Sequence, residues 1–172
     1  MRCRLVMCWL VLAACSPAGA QSAAPSSAPP ATGSPPSVLE REFFAAIRDG
    51  DAKKILLYVP EQGVDVGPQR EHFSRAEVEQ QFAQHRGLYC KLFDSSCIQS
   101  PLKLDNSLPP CSYRELLTRS EKVRTAATEA VRGGVRQAIL VAEVKNEQCS
   151  GLGLIDFVFN EGHSGWELFS AP

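Results

Sequence analysis

Val135-Arg-Gln-Ala-Ile-Leu-Val-Ala-Glu-Val-Lys145, followed by Leu154-Ile-Asp-Phe-Val-Phe159, decides the fold. Aliphatic and β-branched residues dominate the first segment. In the second, Ile155, Phe157 and Phe159 alternate with Leu154, Asp156 and Val158. A period of two describes a strand with one face against a core. Arg132-Gly133-Gly134 reads as a hairpin turn, with the Thr- and Ala-rich run Val123 to Val131 as the strand before it. Residues 146 to 153 read as a loop. Residues 160 to 165 turn the chain into a last strand, Trp166-Glu-Leu-Phe169. Short connections between consecutive strands predict an antiparallel meander of about four strands.

Upstream, the periodicity changes to that of helices. Ser37-Val-Leu-Glu40 has the spacing of a capping box, and Leu39, Phe43 and Ile47 form one apolar stripe. Gly50 is placed to end this helix in the left-handed conformation. Asp51 can cap a short second helix through Tyr58, stopped by Pro60, and 63 to 67 reads as a short extended segment. Ser74-Arg-Ala-Glu77 opens a helix with Val78 and Phe82 inward, with His85 and Arg86 in its last turn and Gly87 beyond it. Cations in the last turn suit the helix dipole. Ser112-Tyr-Arg-Glu115 opens another, with Leu116 and Leu117. Helices followed by strands give an α+β class, with N-terminal helices packed on a curved C-terminal antiparallel sheet.

Two stretches carry a resemblance. Phe43-Phe-Ala-Ala-Ile-Arg-Asp-Gly-Asp51 and Gly165-Trp-Glu-Leu168 are similar to the opening helix, the Gly-Asp corner and the final strand of the NTF2-like (cystatin-like) superfamily. The resemblance covers both ends of the domain and leaves 60 to 120 poorly matched. It implies a sheet wrapped around a helix as a cone, whose mouth holds a small ligand or is plugged. Many members of that superfamily have no catalytic activity.

The N-terminus reads as an address. Arg2 and Arg4 precede an uncharged run from Leu5 to Ala14. Ten residues are too few to span a bilayer as a helix, which takes about 20, and they suit the apolar region of a signal peptide over 1 to 14. Leu12-Ala-Ala-Cys15 resembles the lipobox of bacterial lipoproteins, which implies cleavage before Cys15 and a diacylglyceryl group on its thiol. Ser16 then implies transfer to the outer membrane. Two or more acyl chains make an anchor of this kind stable, at about 0.8 kcal/mol per buried methylene. Ala18-Gly-Ala20 before Gln21 offers the alternative, ordinary cleavage that releases a soluble periplasmic or secreted protein. Residues 15 to 37 then form a Pro/Ala/Ser-rich spacer. It has no charged residue and holds six of the twelve prolines, so little in it can offset the entropy of ordering. The domain is 38 to 172.

Composition excludes other classes. With 22% charged residues and a net charge of −1, the chain is not a basic nucleic-acid binder. Seven cysteines lie in 172 residues, four of them in the domain: Cys90, Cys97, Cys111 and Cys149. An even number in an exported domain predicts two disulfides. Of the three connectivities, Cys97–Cys111 with Cys90–Cys149 is preferred. Their spacing does not form a metal-ligand set, and no cofactor motif is present.

Catalytic candidates are few. Asp156, in an apolar strand, is a possible general base if its face lines a cone, with His72 as partner; exposure on a wet face is the alternative. His163 lies in a turn. Tyr58, Tyr89 and Trp166 are either pocket walls or core. The sequence therefore supports three readings. The first is a non-catalytic envelope lipoprotein that binds a small apolar ligand or an envelope partner. The second is a hydrolase or isomerase using Asp156 and His72. The third is an interaction protein with a filled core.

Overall fold

The computed structural model describes residues 33–98, 109–149 and 153–172. The leader, Cys15 and most of the spacer lie outside them, as does most of the stretch between Cys97 and Cys111.

The two deciding segments form β4 (Val135–Lys145) and β5 (Leu154–Gly162). β3 (Lys122–Arg132) pairs with β4 along its whole length, from Lys122 opposite Lys145 to Arg132 opposite Val135. Gly133 and Gly134, at φ 59° and 80°, supply the two positive φ values that a tight hairpin turn requires. β6 (Gly165–Ala171) returns along β5, with a bulge at Val158/Phe159.

The sheet is larger than the expected four strands, and it is mixed. β1 (Val64–Val66) runs parallel to β6 through Asp65 opposite Ser170 and Val66 opposite Ala171, and β2 (Glu71–Phe73) pairs antiparallel with β1. The order is β2-β1-β6-β5-β4-β3. The extended segment expected over 63 to 67 is β1, whereas β2, with three residues, is too short to show alternation.

α1 (Pro36–Asp49) crosses the inner face of the sheet. Phe43, 0% exposed, meets the rings of Phe44, Tyr58, Phe157 and Phe159 edge-on, at centroid distances of 4.9 to 6.1 Å. Ile155, Leu140, Ala138, Ala142, Trp166 and Leu168 complete this core. The helix begins at Pro36, within the stretch read as spacer, and Ser37 does not cap it. Proline at the first helical position has its φ preset and lacks an N–H that would need a partner, so the helix starts ahead of Ser37. The entering chain is pinned to the sheet. The Gly33 N–H donates to Glu161 (2.6 Å), and the Trp166 indole N–H donates to the Ser34 carbonyl (3.1 Å). Arg136 braces the same corner, bonded to Glu129 and Glu161 and lying over the Trp166 ring.

Gly50 ends α1 in the left-handed region, and the Asp51 carboxylate caps α2 (Ala52–Leu57) by accepting from the Lys54 N–H. Both other capping boxes form, at α3 (Arg75–Ala83) and α5 (Tyr113–Arg119). α3 is shorter than expected. His85, at φ 50°, lies past its end with its ring stacked on Tyr89, and Gly87 precedes a further helix, α4 (Leu88–Phe93).

α4 explains why the expected cysteine pairing is not the observed one. After α4, Asp94 and the 3-10 turn Ser95–Cys97 reverse the chain, bringing Cys97 back to Cys90 at a Cα separation of 5.5 Å. The second bridge is Cys111–Cys149, which ties the approach to α5 to the loop after β4. Two disulfides exist as expected, with the partners exchanged. They fit an oxidising, exported environment. No described helix is long and apolar enough to cross a membrane.

Candidate functional site

β1 touches β6 only near its C-terminal end. Upstream of β1, residues 60 to 63 part from β6, and a cavity of about 290 Å³ lies in the fork. Pro60 ends the preceding helical stretch and forms one wall. Gly63, at φ 98°, makes the turn into β1, where a Cβ would run into the Phe73 carbonyl oxygen. Asp65 and His72 enter from the hairpin, Asn160 from β5, and Glu167 and Phe169 from β6. Alternation along β6 selects these last two: Trp166 and Leu168 face the core, leaving Glu167 and Phe169 on the other side.

Asp65 and His72 are direct cross-strand partners. His72 Nδ1 lies 2.9 Å from an Asp65 carboxylate oxygen, and Nε2 lies 2.9 Å from the Gln62 carbonyl oxygen. A carbonyl only accepts, so Nε2 carries a proton. A carboxylate also only accepts, so the geometry favours a proton on Nδ1 as well. The pKa of His72 is accordingly raised, first by the Asp65 hydrogen bond and further by the Gln62 carbonyl. Neither nitrogen is left to take a proton from a substrate.

Asp156 is not brought to this place. A row of opposed residues runs His72, Asp65, Ser170, Val158 across the sheet, and Asp156 lies two residues farther along β5. Three strand spacings of about 4.8 Å separate His72 from that row's end by roughly 14 Å. The Asp156–His72 dyad is therefore not assembled. Asp156 is exposed; together with burial, which is the larger effect, its charge pushes the Tyr113 hydroxyl up to about 12.

Tyr58 and Trp166 belong to the core, Tyr89 stacks on His85, and His163 is exposed in the β5–β6 turn. Among the described residues no three His, Cys, Asp or Glu side chains are grouped to hold a metal. Sequence reasoning passed over Asp65, Asn160 and Glu167. Glu167 was detectable, because the alternation in Trp166-Glu-Leu-Phe169 already separates it from the core face.

No protein-family model matches this chain, and neither a curated protein nor a solved structure matches it.

Proposed function

We propose that this chain is a non-catalytic lipoprotein of the cell envelope, held at Cys15 and facing the periplasm, whose NTF2-like domain works by binding at its outer surface. The observation that carries this reading is the packing of Phe43 against Tyr58, Phe157 and Phe159. The resemblance implies a cone whose mouth holds a small ligand or is plugged, and these interlocked aromatic side chains support the plugged form. A small apolar ligand is therefore disfavoured there, and recognition moves to the exterior. The helix laid across the sheet and the strand opened by Gly165 support the NTF2-like assignment. The Leu12-Ala-Ala-Cys15 motif and the Pro-rich spacer support a domain presented at a distance from a membrane.

Intact mass of the membrane-fraction protein tests this, with Cys15→Ala alongside. A chain starting at Cys15 and carrying acyl groups, lost in the variant, is the expected result. A chain starting at Gln21 would overturn the anchor and leave a soluble exported domain.

A further inference from the structure

We propose that β3 is a dimerisation edge, which pairs antiparallel with β3 of a second copy of this chain about a two-fold axis through Ala127. This goes beyond the envelope reading and applies equally to an anchored or a released chain. β3 is the last strand of the sheet, runs for eleven residues in unbroken register on β4, and has no buried residue. The opposite edge, β2, has three residues. A long regular edge without proline or bulge is a template for another strand.

The backbone fixes which groups this edge offers. A two-residue turn is closed by a hydrogen-bonded pair, here Arg132 and Val135. By alternation, the even-numbered residues of β3 spend their N–H and C=O groups on β4. The odd-numbered ones, Val123, Thr125, Ala127, Glu129 and Val131, turn theirs to the free edge. β4 has the matching phase: Val144 lies opposite Val123, yet its N–H donates away from β3, to the Gly153 carbonyl.

A two-fold axis perpendicular to the sheet keeps the same face up in both copies, so it pairs odd residues with odd. The register centred on Ala127 uses all five. Val123 then lies opposite Val131, Thr125 opposite Glu129 and Ala127 opposite itself, each pair exchanging two hydrogen bonds. Such an interface is isologous and closed. It gives a valine partner to Val131, at 70% exposure the most exposed large apolar side chain among the described residues. Charge selects the same register. Moving the axis one residue toward the turn sets Arg124 against Arg132; moving it the other way sets Val123 against Glu129 and Val131 against Glu121. In the centred register the like-charge pair, Lys122 opposite Arg132, falls at the two exposed ends.

Sedimentation equilibrium of the full chain in density-matched detergent tests this. A reversible monomer–dimer equilibrium is expected. Ala127→Pro removes the edge N–H on the axis without touching a bond to β4, and should weaken the dimer by about tenfold or more. Val131→Asp, at an exposed position, should weaken it as well and decides the matter if the proline variant does not fold. Spin labels report the register. Labels on Thr128→Cys lie roughly 8 Å apart across the axis and should broaden each other's spectrum, whereas labels on Arg132→Cys lie about 34 Å apart and should not. A wild type that stays monomeric at about 1 mM, assemblies larger than a dimer, or full-strength dimers of folded Val131→Asp would overturn the proposal. Broadening at both labelled positions would overturn the antiparallel register.

Discussion

His72 and Asp65 face each other across the β1–β2 hairpin, with Nδ1 2.9 Å from the carboxylate, and the Gln62 carbonyl holds the other ring nitrogen. The pair closes the hairpin that forms one side of the fork. Its strength depends on the proton that both acceptors favour. The folded pKa of His72 is raised, so its contribution to stability is fully present below the unfolded value, about 6.5. It is lost as pH rises through the higher folded value. Wild type should therefore melt above His72→Ala in mildly acidic buffer, and the gap should narrow toward pH 9. Paired thermal melts, with an NMR titration of the imidazole, check this. A gap that widens with pH would contradict the clamp.

The capping boxes give a sharper local contrast. Ser74 and Glu77 exchange hydrogen bonds, the Ser74 N–H donating to the carboxylate at 2.8 Å, and Ser112 and Glu115 repeat the motif. Ser74→Ala and Ser112→Ala should each cost about 1 kcal/mol, the buried Ser112 more than Ser74. Ser37→Ala should stay within about 0.5 kcal/mol of wild type, as exposed substitutions do, because Pro36 has already started α1. Urea unfolding of the three variants measures the ordering. The Ser74 hydroxyl and N–H lower the Glu77 pKa. That contribution is present above the unfolded carboxylate value and fades as pH falls through the folded one.

What the sequence disclosed follows from the length over which a pattern repeats. β4 extends for eleven residues, from Val135 to Lys145, long enough for its composition to place both ends. α1 shows its apolar stripe over Leu39, Phe43 and Ile47. β1 was legible as the extended segment 63 to 67, but β2 has three residues and α4 has six, below the length at which either period can be recognised. Missing α4 also cost the disulfide pairing, since the reversal after it brings Cys97 to Cys90. The fork was hidden for a different reason. Asp65, Asn160 and Glu167 lie on three strands, and only the register of β1 on β6 and of β6 on β5 gathers them. That register is long-range information that no local window holds.

Phe43 tests the filled interior. Its ring touches four other aromatic rings, two on the sheet, and it is fully buried. Phe43→Ala should cost about 3–5 kcal/mol, combining lost burial with the cavity left behind. Phe43→Leu should cost appreciably less because it refills most of the space. Denaturant unfolding with an unchanged slope would assign the loss to packing. If Phe43→Ala were nearly neutral, the interior would have to be loosely packed, and a chamber under the sheet would be restored as a ligand site.

The two disulfides should differ in worth because they close loops of different length. Cys90 and Cys97 are seven residues apart, Cys111 and Cys149 thirty-eight. On chain entropy, the shorter loop contributes about 2.4 kcal/mol and the longer about 3.9 kcal/mol. Paired Cys→Ser variants isolate each bridge without leaving a lone thiol. The Cys111/Cys149 pair should therefore lose more stability in urea than the Cys90/Cys97 pair. Position reinforces the difference. The Cys111–Cys149 bridge joins the approach to α5 to the loop after β4, connecting a helical segment to the sheet, whereas Cys90–Cys97 staples α4 to its own continuation. Peptide mapping of the oxidised protein reads the connectivity directly. A linked pair of fragments holding Cys97 with Cys111 would overturn it, and the measured losses would then have to be reassigned to loops of 14 and 59 residues.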